Sequence, residues 1–190
     1  MQQDPEVLLL DVRDKVHFVN GFVPGSIFIG LDGKFAPWVG ALIDELDQKI
    51  AIIAPKGREE EVVMRLSRVG YDHAIGYLDG GFETWKNSGE GVDRVPNMTV
   101  NEFLNQYEQI KHNKIVDVRK PSEYETTHII NAVNVPLDDF LEENYRVLDR
   151  EGQFYLHCRS GYRSTAAASI LKKNGYRNFI NVQGSFDTIK

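Results

Sequence analysis

The chain has 190 residues, 42% of them hydrophobic and 26% charged, with 16 glycines and 7 prolines. These proportions exclude a disordered, collagenous or low-complexity chain and supply the apolar surface for one large domain or two small ones. A formal net charge of -6 gives no general attraction to nucleic acid or acidic membranes, and a lone cysteine, Cys158, excludes both an internal disulfide framework and a multi-cysteine metal site.

The first ten residues carry Asp4 and Glu6 and no basic cluster ahead of an apolar core, and no apolar run approaches a membrane-spanning length. The expectation is a soluble cytoplasmic protein in a reducing setting. In chain order, Val7 to Val12 is a short apolar run with the character of a buried strand, and Ile50 to Ala54 is a second. A helix is expected from near Arg58 to a stop before Gly70. Asn87 to Asn97, rich in Gly, Pro and polar residues, reads as a domain boundary, and Thr99 with Glu102 offers a capping box for the helix that follows. Lys114 to Val118 and Phe154 to Cys158 repeat the strand pattern. The last helix is expected to begin behind Ser164, with Lys172 and Lys173 in its final turn and Gly175 beyond it.

These elements form two copies of one pattern. Leu9 to Arg13 recurs as Ile115 to Arg119, Phe18 matches Tyr124, and Ser26 to Ile29 matches Ala132 to Val135. Ile50 to Ala54 faces Phe154 to Cys158, and Gly80-Gly81-Phe82 faces Gly184-Ser185-Phe186. A repeat on the order of a hundred residues long is a duplicated domain rather than a solenoid unit. Alternating strands and helices predict an α/β fold in each copy, a mostly parallel central sheet flanked by helices, over residues 1–93 and 94–190.

The stretch able to do chemistry is Cys158-Arg159-Ser160-Gly161-Tyr162-Arg163-Ser164. It puts a cysteine at the carboxyl end of a buried strand, then a short loop, then a helix start, where open α/β sheets place their ligands. Converging backbone N–H groups, the positive end of the helix dipole and the charges of Arg159 and Arg163 all favour thiolate over thiol. Gly161 lets the loop turn tightly. An isolated cysteine at a strand end is often just a small buried apolar residue; this context favours the reactive reading.

At these residues the chain resembles tandem rhodaneses. Asp11 to Arg13, Pro24-Gly25-Ser26, Thr127-His128-Ile129, the Gly80-Gly81-Phe82 and Trp85 close of the first copy, and above all the Cys158 to Arg163 loop carry the resemblance. Gly25 to Gly30 and Phe35 to Gly40 also look like the degenerate unit behind a metallo-β-lactamase-fold domain in persulfide dioxygenase and sulfurtransferase fusions. The resemblance implies two rhodanese-like domains, the second catalytic. It also implies that Cys158 takes sulfane sulfur from thiosulfate or a low-molecular-weight persulfide and passes it to a thiol or to cyanide, with no cofactor. The loop from Arg159 to Ser164 would cradle the persulfide, and Arg159 and Arg163 would hold a small sulfur anion. A persulfide dioxygenase domain is the partner implied, with neither nucleic acid nor membrane.

The first copy departs from that pattern. Ala54 stands where the cysteine belongs and Glu59, Glu60 and Glu61 follow, so no side chain there can accept sulfur. Two other readings of the second copy stay open: a sulfur carrier that is loaded by a partner, and a cysteine-type phosphatase. The phosphatase loop needs more room than the four residues between Cys158 and Arg163 allow. His157, next to Cys158 on a strand, should point to the opposite face, and His128 reads as a turn residue. Trp38 and Trp85 read as core or interface residues. The five histidines lack the close spacing of a metal site.

Overall fold

A computed structural model describes residues 4–188. The chain divides into two compact units, Met1–Arg94 and Val95–Lys190. The first runs β1 (Val7–Asp11), α1 (Lys15–Asn20), β2 (Ile27–Phe28), α2 (Phe35–Leu42), β3 (Lys49–Ile53), α3 (Glu59–Ser67), β4 (Ala74–Tyr77) and α4 (Gly81–Asn87). Its four strands pair in the order β2-β1-β3-β4, every pair parallel. The continuous apolar runs of β1 and β3 suit a parallel sheet that helices cover on its faces. Leu10, Ile50 and Ile52 are buried, and Phe18 stacks on Phe22 at 4.3 Å. Asp14 starts α1 by accepting the Val16 N–H at 2.8 Å.

The second unit runs β5 (Asn97–Thr99), α5 (Val100–Ile110), β6 (Lys114–Asp117), α6 (Pro121–Thr126), β7 (Ala132–Asn134), β8 (Phe154–His157), α7 (Tyr162–Lys173) and β9 (Phe179–Gln183). Its strands pair in the order β5-β9-β8-β6-β7, again all parallel. The α/β architecture with two parallel sheets flanked by helices is therefore as the sequence predicts. The capping box is present: Thr99 Oγ1 accepts the Glu102 N–H at 3.2 Å, and Glu102 Oε2 accepts the Thr99 N–H at 2.7 Å. Ala166, Ala167 and Ala168 are fully buried in α7, because side chains this small let the helix lie close against the sheet.

Several boundaries differ from the sequence reading. β8 ends at His157, so Cys158 belongs to the loop and not to the strand. α7 begins at Tyr162 rather than behind Ser164. Gly161, with φ of 86°, turns the chain in the left-handed region and lets helical bonding start three residues early. Arg163 and Ser164 thus sit inside the first turn of the helix. β2 and β7 are two and three residues long and have no hydrophobic period of their own to announce them. At the boundary Phe22 and Asp93 exchange backbone hydrogen bonds of 2.9 and 3.1 Å, which holds the segment before Val95 to the first unit. Among the described residues, no helix is long and apolar enough to cross a membrane.

Candidate active site

Parallel pairing of β8 with β6 and β9 carries the chain to His157 in the middle of the sheet, and Cys158 then leaves it with only 3% of its surface exposed. The loop folds back at Gly161, whose N–H donates to Cys158 Sγ at 3.2 Å. Ser164 Oγ lies 3.5 Å from the same sulfur. The Gly161 peptide is fixed from behind: its carbonyl accepts from Thr165 Oγ1 at 2.7 Å, and Gln183 Nε2 on β9 donates to that hydroxyl at 3.0 Å. Cys158 Sγ therefore faces an oriented amide, a hydroxyl and the N-terminal end of the twelve-residue helix α7. An oriented amide and a helix N-terminus aimed at one point suit a sulfur that gains charge as a group is transferred to or from it.

The two loop arginines are engaged with carboxylates. Arg163 makes a two-pronged pair with Glu123 of α6, at 2.5 Å (Nη1 to Oε2) and 2.9 Å (Nη2 to Oε1). Burial opposes the charge of Arg163, but Glu123 and the nearby Cys158 outweigh it and raise its pKa. Arg159 is 65% exposed, with Nη2 3.7 Å from Asp187 Oδ2. Its carbonyl accepts the Phe186 N–H at 2.8 Å, which seats the final 3-10 turn against the loop. A cleft of about 400 Å³ lies alongside, lined by residues that include Arg119, Glu123, Arg159 and Asp187. The sequence brings Arg159 and Arg163 to the loop but gives no sign of their carboxylate partners. Glu123 is 40 residues from Arg163, and only the fold joins them.

Glu123 is held below its ordinary carboxylate pKa, chiefly by the hydrogen bonds from Arg163. A carboxyl with a lowered folded pKa contributes stability above its unfolded value of 4.5, and that contribution fades as pH falls through the lowered folded value. Urea midpoints of the wild type and Glu123→Gln are thus expected to differ at neutral pH and to converge in acid. A gap that does not shrink in acid would contradict this account of the pair.

Below the loop lies a buried framework that recurs in both units. Asp117, fully buried, takes Arg119 Nε at 3.0 and 2.9 Å and Nη2 at 2.7 Å, and that guanidinium also donates to Thr127 O and lies 3.6 Å from the centre of the Phe186 ring. Asp11 and Arg13 do the same with Gly21 O and the Phe82 ring. The Asp and Arg of the opening motif are therefore architectural in both copies. His157 points into this layer, stacked on Phe186 at 5.6 Å with Nε2 3.8 Å from Asp117 Oδ2, and burial lowers its pKa. His128 stacks on Tyr124 at 4.0 Å, and its Nδ1 lies 2.9 Å from Tyr124 O, a local turn contact.

In the first unit Gly57, with φ of 83°, makes the equivalent turn, but buried Ala54 occupies the cysteine position. Arg58 is bound to Asp32 and Glu61 at 2.8 Å each. Trp38 is buried in the core of this unit, and Trp85 donates from Nε1 to Gly91 O at 2.8 Å.

Comparison with known proteins places both halves of the chain in one family. The model of the rhodanese-like domain matches residues 1–88 and again 99–190. The chain is 33% identical over 97 residues to YrkF of Bacillus subtilis (strain 168), whose name designates a sulfur carrier; the match covers 51% of this chain and 52% of YrkF. It is 31% identical over 197 residues to the tRNA uridine(34) hydroxylase of Yersinia enterocolitica, covering 90% of this chain and 53% of that protein. The chain thus spans about half the length of both relatives. A rhodanese-related protein from Thermoplasma volcanium is 30% identical, with a TM-score of 0.43, over 49% of this chain and 88% of that one. With a family match to each half and an oriented cysteine loop in the second, this chain belongs to the rhodanese-like domain family, as a tandem pair.

Proposed function

We propose that the chain is a sulfurtransferase in which Cys158 carries sulfane sulfur as a persulfide, and that Arg159, Ser160, Gly161, Tyr162, Arg163 and Ser164 form its binding loop. The carrying observation is the placement of Cys158 Sγ 3.2 Å from the Gly161 N–H at the start of α7. Family membership supports a role in sulfur transfer. The thiolate attacks the outer sulfur of thiosulfate, a new S–S bond forms at Cys158, and the donor S–S bond breaks with its electron pair leaving on sulfite. With a persulfide donor the pair leaves on a thiolate. A thiol or cyanide then attacks the terminal sulfur and returns Cys158 to thiolate, a double displacement. The first unit, with Ala54 at the matching place, takes no sulfur and serves as a packing or docking domain.

A second reading, a carrier loaded by a partner protein, is favoured by the pairing of both loop arginines with carboxylates, which weakens the pull on a small dianion. Multiple-turnover assays with cyanide and, in turn, thiosulfate and a persulfide as donor separate the two: an enzyme releases thiocyanate in large excess over protein with at least one donor, a carrier releases at most one equivalent with either. Four residues between Cys158 and Arg163 argue against phosphate ester hydrolysis. A metallo-β-lactamase-fold persulfide dioxygenase domain is a proposed partner, supported by the resemblance of the Gly25 to Gly30 and Phe35 to Gly40 stretches alone. A reducing compartment such as the cytoplasm suits a single reactive thiol.

A further inference from the structure

By sequence the loop offers a dianion two arginines, but the fold supplies each with an acid. Arg163 is held by Glu123 through two hydrogen bonds and Arg159 faces Asp187 at 3.7 Å, while the deeper Arg119 is bound to Asp117. The formal charges at the cleft therefore cancel. Glu123 lines the cleft and is 30% exposed at its side chain, so its charge is turned toward the cleft while it holds Arg163. The first copy shows the same two positions with different residues: His17 stands at the third residue of α1 as Glu123 does in α6, and Glu59 stands two residues beyond Gly57 as Arg163 does beyond Gly161.

We propose that Glu123 makes this site selective for sulfane donors of low charge, persulfides of the form R–S–S–H, over the thiosulfate dianion. This rests on the sulfur-transfer reading above. With R–S–S–H, the Cys158 thiolate bonds to the terminal sulfur, which keeps its proton. The donor S–S bond breaks, and its electrons leave on R–S⁻, so the total is one negative charge with the neutral donor and two with its ionised form R–S–S⁻. With thiosulfate the same displacement gathers three negative charges, one on the thiolate and two on the donor, and expels sulfite dianion. A fixed carboxylate on Arg163 opposes the second assembly more than the first, because the repulsion grows with the charge the donor brings. Glu123 is here a positioning residue: it touches Arg163 and sets the local charge.

The test compares rates of Cys158 persulfidation by thiosulfate and by 2-hydroxyethyl persulfide, whose only ionisable group is its persulfide, measured in the full chain by stopped reaction and mass spectrometry. Glu123→Gln is expected to raise the ratio of the thiosulfate rate to the persulfide rate by about tenfold, an effect that shrinks as salt screens the charges. Glu123→Asp, which keeps the charge, is expected to stay near the wild-type ratio even if it loosens α6. An unchanged ratio in Glu123→Gln, or an equal rise in Glu123→Asp, overturns the inference while leaving sulfur transfer intact. Failure of the wild type to accept sulfur from either donor overturns the sulfur-transfer reading and this inference with it.

Discussion

Cys158→Ser is expected to lower sulfur transfer by about 10³-fold or more, to the level of the uncatalysed reaction. Serine retains the size of the side chain and can still accept from the Gly161 N–H, so the loop keeps its shape. What it loses is a nucleophile able to bond stably to sulfur, and no other cysteine exists in the chain to replace it. The first unit cannot compensate, since Ala54 occupies the matching place. Thiocyanate release under saturating thiosulfate checks this. Turnover within about tenfold of the wild type in Cys158→Ser would mean that the loop is not the sulfur-bearing centre.

The second large effect concerns stability. Asp117→Asn should destabilise the second unit by about 3–5 kcal/mol, because it leaves the Arg119 guanidinium buried without its counter-charge. Asp117 has no exposed side-chain surface and Arg119 only 4%, so water cannot take over the lost interaction. The same carboxylate also accepts the Arg119 backbone N–H at 2.9 Å, which fixes the turn after β6. Urea unfolding followed by circular dichroism measures the loss. A change below about 1 kcal/mol would show that the pair is solvated in solution, as exposed ion pairs are.

The duplication, the parallel α/β class and the cysteine loop were legible in the sequence because they depend on local pattern: apolar runs at strand positions, Thr99 and Glu102 three apart, and a cysteine between a strand and a helix start. Asp11 and Arg13 recur as Asp117 and Arg119, with and without a cysteine, and the structure gives both pairs the same buried geometry. The start of α7 was misplaced because Ser164 is a good capping residue by type, whereas the fold uses Gly161 in a left-handed turn and the Ser164 hydroxyl donates back to the Gly161 carbonyl, its oxygen accepting from Cys158 Sγ. Glu123, Asp187 and Thr165 were missed for a different reason. Each gains its role from a contact made across the fold: Glu123 with Arg163, Asp187 with Arg159, and Thr165 between Gly161 and Gln183. A sequence shows the charges of a loop but not the charges that will be set against them.

Sulfur transfer by this chain depends on Cys158 holding sulfur. The most direct test is mass spectrometry of the intact chain and of its peptides after brief treatment with a sulfane donor and removal of the excess. The account predicts one added sulfur atom, on the peptide containing Cys158, lost on addition of cyanide and absent from Cys158→Ser. No added sulfur on Cys158 after treatment with both thiosulfate and a persulfide, or an adduct that persists in Cys158→Ser, would contradict it.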